Sequence, residues 1–227
     1  MTAIFATPHL DRRRFTVADI QALVEKGVVA EDARAALAMA AALWFGAQPE
    51  TMVAVTGTNG KTSVASFARQ LWMSMGHAAI NVGTTGVEGA WETALSHTTP
   101  DSVTLQSILA QAAAEGVTHA AMEASSHGLD QRRLEGVRLQ AAGFTNLSQD
   151  HLDYHPTMED YFEAKAKMWA HCVEGDVAVA PVDDLRIIEA AQASNARVVT
   201  FGIAGGDYHS FDGWLRGPMG RIMPISE

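Results

Sequence analysis

From residue 51 onward, short apolar runs alternate with segments in which apolar residues recur every three or four positions. The short runs predict β-strands, and the periodic segments predict helices. The predicted strands cover residues 52–56, 78–82, 119–123, 141–146, 177–180 and 198–201. The predicted helices between them cover residues 62–75, 102–115, 158–173 and 184–193. Continuous apolar strands that alternate with helices predict an α/β fold: a mostly parallel sheet with helices on both faces.

Two further helices are predicted ahead of the first strand. Thr16 with Asp19 forms a capping box that opens a helix ending near Gly27, and an Ala-rich helix over 31–44 is closed by Gly46. We therefore expect a short helical N-terminal region, 1–47, followed by a central domain, 48–227. The segment after Gly202 is rich in Gly and Pro, and we assign no element to it.

Composition excludes several classes of protein. The chain has 227 residues, of which 48% are hydrophobic, enough to bury the core of one domain. A net charge of -10 argues against a nucleic-acid partner, which requires a basic face. Cys172 is the only cysteine, which suits a reducing compartment, and there is neither a secretory signal nor an apolar run of about 18 residues. We expect a cytoplasmic protein that binds neither membranes nor nucleic acids.

A glycine-containing loop lies between the first predicted strand and the following helix. Its residues are Gly57, Thr58, Asn59, Gly60, Lys61, Thr62 and Ser63. Glycines let backbone amides turn towards phosphates, and the helix N-terminus adds its positive dipole end. Lys61 is placed to reach the β- and γ-phosphates of ATP, and the Thr62 hydroxyl to ligate Mg²⁺. The loop therefore predicts an ATP site.

One position departs from the usual phosphate-binding loop. That pattern has glycine six residues before the lysine, where this chain has Val55; its glycine, Gly57, lies four before. The alternative is an ordinary Gly-rich strand-to-helix turn. Gly-Lys-Thr directly after a buried strand favours the phosphate loop.

The loop GTNGKT (57–62) resembles the variant loop of the Mur ligase superfamily, which folylpolyglutamate synthases share. Three further motifs resemble the branch of that family that makes the tripeptide of peptidoglycan precursors. They are HTTPD (97–101), EASSHGLDQRR (123–133) and TNLSQDHLDYH (145–155), the last continuing to YFEAK (161–165). Ordered motifs over residues 51–202 are far more specific than a lone Gly-rich loop.

The resemblance implies a P-loop ATP-dependent amide ligase that uses Mg²⁺. Its substrates would be UDP-N-acetylmuramoyl-L-alanyl-D-glutamate and a diamino acid, diaminopimelate or lysine, joined through an acyl phosphate. By motif position, the residues implied to bind the UDP-muramoyl-dipeptide are Thr98, Thr99, Ser125, Gln131 and Arg133. Considered without the motifs, each would be an ordinary loop residue.

Glu123 closes a predicted strand, at the edge where open α/β sheets bind their ligands. A carboxylate there is a plausible Mg²⁺ ligand, and the alternative is an N-cap or a solvated loop acid. The resemblance implies the metal role for Glu123. It also places a metal-ligating histidine at His151.

Lys165 interrupts the apolar stripe of the helix predicted over 158–173, so it faces inward while Lys167 faces outward. Burial favours the neutral amine, which reacts with carbon dioxide to give a carbamate. The alternative is a lysine that reaches water or pairs with an acid. The resemblance implies a carbamoylated Lys165 that helps to hold a second Mg²⁺. The implied catalytic residues are thus Lys61, Glu123, His151 and Lys165.

Two other functions remain open. Full-length family members carry an N-terminal UDP-binding domain and a C-terminal acceptor domain with an Asp-Asn-Pro-Arg motif. We find no such motif, and the central domain lacks the family's Gly-x-Phe-Asn stretch. We therefore expect the central domain to be incomplete at its C-terminus and the acceptor domain to be absent, which leaves a nucleotide-binding module without ligase activity as an alternative. A folylpolyglutamate synthase-like ligase is the other.

Overall fold

The computed structural model describes residues 30–225, in which ten strands form one sheet. The strands are β1 (Thr51–Thr56), β2 (Ala79–Gly83), β3 (Gly86–Gly89), β4 (His119–Glu123), β5 (Ala141–Phe144), β6 (Val177–Pro181), β7 (Arg197–Gly202), β8 (Tyr208–Phe211), β9 (Trp214–Gly217) and β10 (Gly220–Pro224). Their order across the sheet is β10-β9-β8-β7-β6-β5-β1-β4-β2-β3. Neighbours from β8 to β2 in this order are parallel, and β3, β9 and β10 are added antiparallel at the two ends.

The helices of the described region follow the predicted order. They are α1 (Ala33–Phe45), α2 (Lys61–Ser74), α3 (Ser102–Ala114), α4 (Ser126–Asp130), α5 (Met158–Ala166), a 3₁₀ helix (Lys167–His171) and α6 (Leu185–Gln192). Within residues 30–225, no helix combines the length and apolar character needed to cross a membrane. The predicted helix that begins at Thr16 lies outside the described residues.

The connections of the sheet put helices on both of its faces. The chain crosses from β1 to β2 through α2 and returns to β4 through α3, which is the opposite direction along the sheet. Because β-α-β connections are right-handed, α2 and α3 lie on opposite faces. Helix α1 packs against α3. The prediction of a mostly parallel sheet with helices on both faces is confirmed.

The core lies under the central strands. Met52 of β1, Ile80 of β2, Met122 of β4 and Leu109 of α3 are fully buried in one apolar cluster. All of β2 and most of β4 are buried, as expected of parallel strands covered on both faces. The carboxyl ends of β1, β4 and β5 therefore meet at one rigid edge.

Two helices differ from the prediction. The single helix predicted over 158–173 is wrong: α5 ends at Ala166, and the chain tightens into the 3₁₀ helix before Cys172 adopts an extended backbone. Sequence reasoning also missed the short helix α4, which Ser125 caps by accepting a hydrogen bond from the Gly128 N–H.

The strands also differ in three places. The strand predicted over 141–146 ends at Phe144, because Thr145 and Asn146 turn to contact the loop after β1. Strand β3 was missed, and so were β8, β9 and β10 in the Gly-rich tail. Gly86, Gly213 and Gly220 all have positive φ in the turns or at the strand ends of these hairpins, so the glycines mark turns between short strands.

A matched pair of leucines tests the position of the core. Leu109→Ala removes a fully buried side chain from α3, and we expect it to lower the free energy of unfolding by about 2–5 kcal/mol. Leu71→Ala makes the same change on α2, where the side chain is 64% exposed, and should alter it by less than about 0.5 kcal/mol. Urea denaturation of both variants measures the difference, and equal losses would contradict the assignment of α3 to the core.

Candidate active site

The loop from Gly57 to Gly60 leaves β1 at the carboxyl edge of the sheet. Gly57 has φ 137°, and a Cβ there would overlap the Thr145 hydroxyl, so only glycine fits. Gly60 has φ 83° and is the residue from which α2 begins. The positive φ of Gly57 and Gly60 therefore explains why the loop has glycine at both positions.

The residues after β5 brace this loop. The Thr58 hydroxyl donates to the Ser148 carbonyl (3.0 Å) and accepts from the Ser148 N–H (2.9 Å). The Asn146 carboxamide accepts from the Asn59 N–H (3.1 Å) and donates to the Asn59 carbonyl (3.1 Å). The loop conformation is thus held from outside by the segment that follows β5.

Helix α2 differs from its neighbours at its N-terminus. Asp32, Asp101, Ser125, Thr157 and Asp184 each cap an α-helix of the described region through a side-chain oxygen. Gly60, at the start of α2, makes no side-chain cap. The first-turn N–H groups of α2 therefore have no side-chain acceptor from the capping position, and their positive end suits an anion.

Two lysines converge on the loop. The Lys61 ammonium donates to the carbonyls of Gly57 (2.9 Å) and Thr58 (2.8 Å). The Lys165 amine, on α5, donates to the same Gly57 carbonyl (2.8 Å) and lies 4.5 Å above the Tyr161 ring. Lys165 is 1% exposed, so the predicted inward orientation is confirmed.

The surroundings lower the pKa of both amines and so favour their neutral forms. Burial lowers the pKa of Lys61, against the attraction of Glu123 and Asp150. Burial and, to a smaller extent, the neighbouring Lys61 charge lower the pKa of Lys165 to about 7, with Asp150 opposing the shift. Lys165 is therefore a mixture of ammonium and neutral amine near neutral pH.

Glu123 ends β4 next to the loop, as predicted. One of its carboxylate oxygens accepts from the Thr62 hydroxyl (2.9 Å), and the other accepts from the Thr84 N–H (2.8 Å). The carboxylate packs so closely on Gly83 that a Cβ at that position would overlap it. The carboxylate and the Thr62 hydroxyl together present hard oxygen donors, which is the chemistry that Mg²⁺ prefers.

His151 stands apart from this pair. It has φ 53° and a 43% exposed side chain, which lies 3.6 Å from the Asp150 carboxylate. Its ring makes an edge contact with His127, at 4.9 Å between centroids, and a looser one with Tyr161. In residues 30–225, no three His, Cys, Asp or Glu side chains are grouped closely enough to hold a metal ion. The metal role of His151 stays a prediction.

The two threonines of the HTTPD motif have different surroundings. The Thr98 hydroxyl is partly exposed and lies 3.0 Å from that of Thr84. Thr99 is buried, donating its hydroxyl hydrogen to the Glu123 carbonyl (2.9 Å) and accepting from the Ser125 N–H (3.0 Å). Thr98 is available to a ligand, whereas the Thr99 hydroxyl connects the HTTPD segment to the residues at the end of β4.

Gln131 and Arg133 form one polar unit beyond α4. Arg133 donates two hydrogen bonds to the Gln131 side-chain oxygen, at 2.7 and 3.2 Å, and a third to the Thr99 carbonyl. Both residues are partly exposed. The structure brings Arg133 onto Thr99, which in turn contacts Ser125, so the residues implied for substrate binding form one connected group.

Sequence reasoning missed several residues that shape the site. Thr84 and Gly83 position the Glu123 carboxylate, and Tyr161 lies under Lys165 with its hydroxyl 3.3 Å from that of Thr58. A glycine and a threonine at the end of a predicted strand were a usable signal for the first pair. Tyr161 has no such signal, because its pattern is that of a core residue.

Known proteins resemble this chain in sequence and fold. The family described as Mur ligase middle domain matches residues 55–214. A ligase from Agrobacterium fabrum, named UDP-N-acetylmuramoyl-L-alanyl-D-glutamate–2,6-diaminopimelate ligase, is 56% identical over 183 residues, which are 78% of this chain and 37% of the relative. A solved structure of a protein of that name superposes with a TM-score of 0.77 at 28% identity, covering 94% of this chain and 54% of the other.

Escherichia coli FolC in complex with DHPP and ADP superposes with a TM-score of 0.62 at 16% identity, covering 93% of this chain and 57% of that one, and so shares the fold alone. The chain spans little more than a third of the length of the curated relatives it matches. The family match covers more than half of the chain, in the region that forms the loop, Glu123 and Lys165. The chain belongs to the Mur ligase middle-domain family.

Proposed function

We propose that this chain supplies the ATP-binding region of a ligase that joins 2,6-diaminopimelate to UDP-N-acetylmuramoyl-L-alanyl-D-glutamate. The observation that carries the proposal is the braced loop with its uncapped helix N-terminus, Lys61, and the Thr62–Glu123 pair at one sheet edge. The choice of diaminopimelate over lysine follows the name of the 56% identical relative. We also propose a cytoplasmic location, in keeping with ATP as co-substrate and a single cysteine.

In this proposal the loop binds the phosphates of ATP. The first-turn N–H groups of α2 donate to phosphate oxygens, and Lys61 turns from the loop carbonyls to the β- and γ-phosphates. Thr62 and Glu123 would hold Mg²⁺, which would neutralise charge on the transferring phosphoryl group. The carboxylate fits a cation because it is buried and its hydrogen-bond partners, the Thr62 hydroxyl and the Thr84 N–H, are neutral groups that leave its charge uncompensated.

Lys165 is proposed to carry a carbamate that helps to hold a second Mg²⁺ together with His151. The amine is buried at the loop, where a free ammonium faces the Lys61 charge. The ammonium first loses one proton. Attack of the resulting neutral amine on carbon dioxide then forms an N–C bond, opens one C–O π bond and releases a second proton, so the positive charge of the ammonium is replaced by the negative charge of the carbamate. The nitrogen keeps one N–H, which is enough to retain the hydrogen bond to Gly57.

The reaction proceeds in two steps. A D-glutamyl carboxylate oxygen attacks the γ-phosphorus of ATP, and the bond from that phosphorus to the β–γ bridging oxygen breaks. ADP departs, and the product is an acyl phosphate. An amine of diaminopimelate then attacks the acyl carbon, and the tetrahedral intermediate loses phosphate and a proton to give the amide. The chain's residues chiefly position and neutralise anions that would otherwise repel one another.

Two alternatives predict other behaviour. A nucleotide-binding module would bind ATP without binding the UDP-sugar dipeptide. A folylpolyglutamate synthase-like ligase would bind a folate instead, and the likeness to FolC is one of fold alone. The 56% identity to the diaminopimelate ligase favours the peptidoglycan substrate over both.

The first test is nucleotide binding by the phosphate loop. Lys61→Ala should weaken Mg²⁺-dependent ADP binding by more than about tenfold, or about 1.4 kcal/mol, because it removes the cation that contacts the phosphates. Isothermal titration calorimetry measures this. Arg221→Ala removes a cation at the far end of the sheet, on β10, and should bind like the wild type. Equal affinities for the Lys61 variant and the wild type would rule out the phosphate loop.

A pair of glycine substitutions tests the position of Glu123. Gly83→Ala places a Cβ against the carboxylate and should displace it. We expect a loss of about tenfold in Mg²⁺-dependent nucleotide affinity, since an interaction with a charged group is worth on the order of 1.5–3 kcal/mol. Gly143→Ala is the matched control, because its Cβ would only make an ordinary 3.8 Å contact with Val179. If both variants bind ADP equally well with Mg²⁺, Glu123 does not contribute.

The carbamate on Lys165 should depend on pH. With a pKa of about 7, about a tenth of the amine is neutral at pH 6 and about nine tenths at pH 8, so carbamate should increase over this range. Carbon-13 NMR with labelled bicarbonate measures it, and Mg²⁺ should strengthen the signal. A carbamate signal that survives in Lys165→Arg, or one that does not grow between pH 6 and pH 8, would refute this modification.

A further inference from the structure

A continuous chain of hydrogen bonds connects the end of α5 to the end of β4. The Lys167 ammonium donates to Asp130 (2.8 Å), and the Tyr154 hydroxyl donates to the other oxygen of Asp130 (2.9 Å). The Gln131 amide nitrogen donates to the Tyr154 oxygen (3.3 Å). The Gln131 oxygen then accepts twice from Arg133, which also donates to the Thr99 carbonyl.

The charged groups at the two ends of this series of hydrogen bonds determine which atom donates and which accepts in each bond. Lys167 and Arg133 have only donors, and the Asp130 carboxylate has only acceptors. The hydrogen bond from Lys167 lowers the pKa of Asp130, burial raises it, and the Tyr154 bond lowers it, for a net decrease that keeps the carboxylate ionised. The single Tyr154 proton is therefore used towards Asp130, and its oxygen must accept from Gln131.

We infer that Asp130 and Tyr154 are positioning residues that set the orientation of the Gln131 amide and, through it, of the Arg133 guanidinium. Gln131 turns its nitrogen to Tyr154 and so presents its oxygen to Arg133. Three of the five guanidinium N–H bonds are occupied by Gln131 and Thr99, which leaves two in a defined direction for an anionic ligand group. The identity of that ligand, the UDP-muramoyl-dipeptide, rests on the proposed function.

The arrangement also connects the substrate side to the lysine side of the site. Lys167 follows α5, whose buried Lys165 contacts the phosphate loop, and Thr99 contacts the Glu123 carbonyl. The ring of Tyr154 packs against that of His127, with 4.1 Å between the ring centroids and a tilt of 40°, which restricts the position of the hydroxyl. The orientation of Arg133 is thus tied to both segments that flank the proposed nucleotide site.

Asp130→Asn tests the direction of the chain with almost no change of shape. In this variant, the amide oxygen at position 130 must face Lys167, which only donates, and the NH₂ group must donate to the Tyr154 oxygen. The Tyr154 hydroxyl proton then has to point towards Gln131. Gln131 can accept that proton only by flipping, which places its NH₂ against the Arg133 donors. Tyr154→Phe removes the hydroxyl but leaves the Gln131 oxygen on Arg133, so it should have the smaller effect.

Hydrogen exchange of the Arg133 Nε–H, followed by NMR in the full chain, measures the orientation directly. We expect exchange about fivefold faster in Asp130→Asn than in the wild type, with Tyr154→Phe between them. Asp212→Asn is the matched control: its side chain is 71% exposed and its φ of 52° suits Asn. Equal exchange rates in the wild type and Asp130→Asn would overturn the inference.

Calorimetry with UDP-N-acetylmuramoyl-L-alanyl-D-glutamate adds the functional measurement. Asp130→Asn should bind it about tenfold more weakly, as for the loss of one charge-assisted hydrogen bond, while ADP affinity is retained. If Asp130→Asn binds the UDP-sugar dipeptide as tightly as the wild type, the hydrogen bonds from Lys167 to Arg133 do not contribute to substrate binding. A wild-type chain that does not bind this ligand would overturn the proposed substrate, and the Arg133 exchange rates would still decide whether the network orients the guanidinium.

Discussion

The Gly57 carbonyl oxygen accepts hydrogen bonds from two lysines that lie more than a hundred residues apart in the chain, Lys61 and Lys165. A carbonyl has two lone pairs, so one backbone atom can fix the position of both amines. Its direction depends on the positive φ of Gly57 and on close packing against Thr145. That packing requires β5 to pair with β1, as the register shows. The site is therefore a consequence of strand order.

The local electrostatics of the site oppose those of the whole chain. The protein carries a net charge of -10, yet Lys61 and Lys165 approach the same carbonyl. Their mutual repulsion adds to the effect of burial in lowering the pKa of Lys165. In the proposed function, a polyanionic ligand would offset this repulsion by engaging Lys61, and a carbamate would remove it by reversing the charge of Lys165. Each change alone would relieve the same unfavourable contact.

Patterns of buried positions were sufficient for six of the ten strands, for most helices and for the inward orientation of Lys165, because each depends on the surroundings of a single element. The contacts around Glu123 could not be read in this way. Thr84 reaches the carboxylate because β2 pairs with β4, which brings together residues 39 positions apart. Thr99 looked like a ligand contact from its motif, but its hydroxyl is buried between Glu123 and Ser125. The apolar stripe of α5 continued past Ala166, and periodicity does not distinguish an α-helix from the 3₁₀ turn that follows.

Val55 explains why the loop tolerates the loss of the first glycine of the usual phosphate-binding pattern. It pairs with Glu123 on one side and Gly143 on the other, and its carbonyl accepts from the Ala124 N–H (2.8 Å). The residue is therefore still inside the sheet, where glycine would only weaken the strand. The turn starts two residues later, at Gly57. Asn146 and its neighbours after β5 supply the missing hydrogen bonds. The conformation of this loop therefore depends on the segment after β5 as well as on its own glycines.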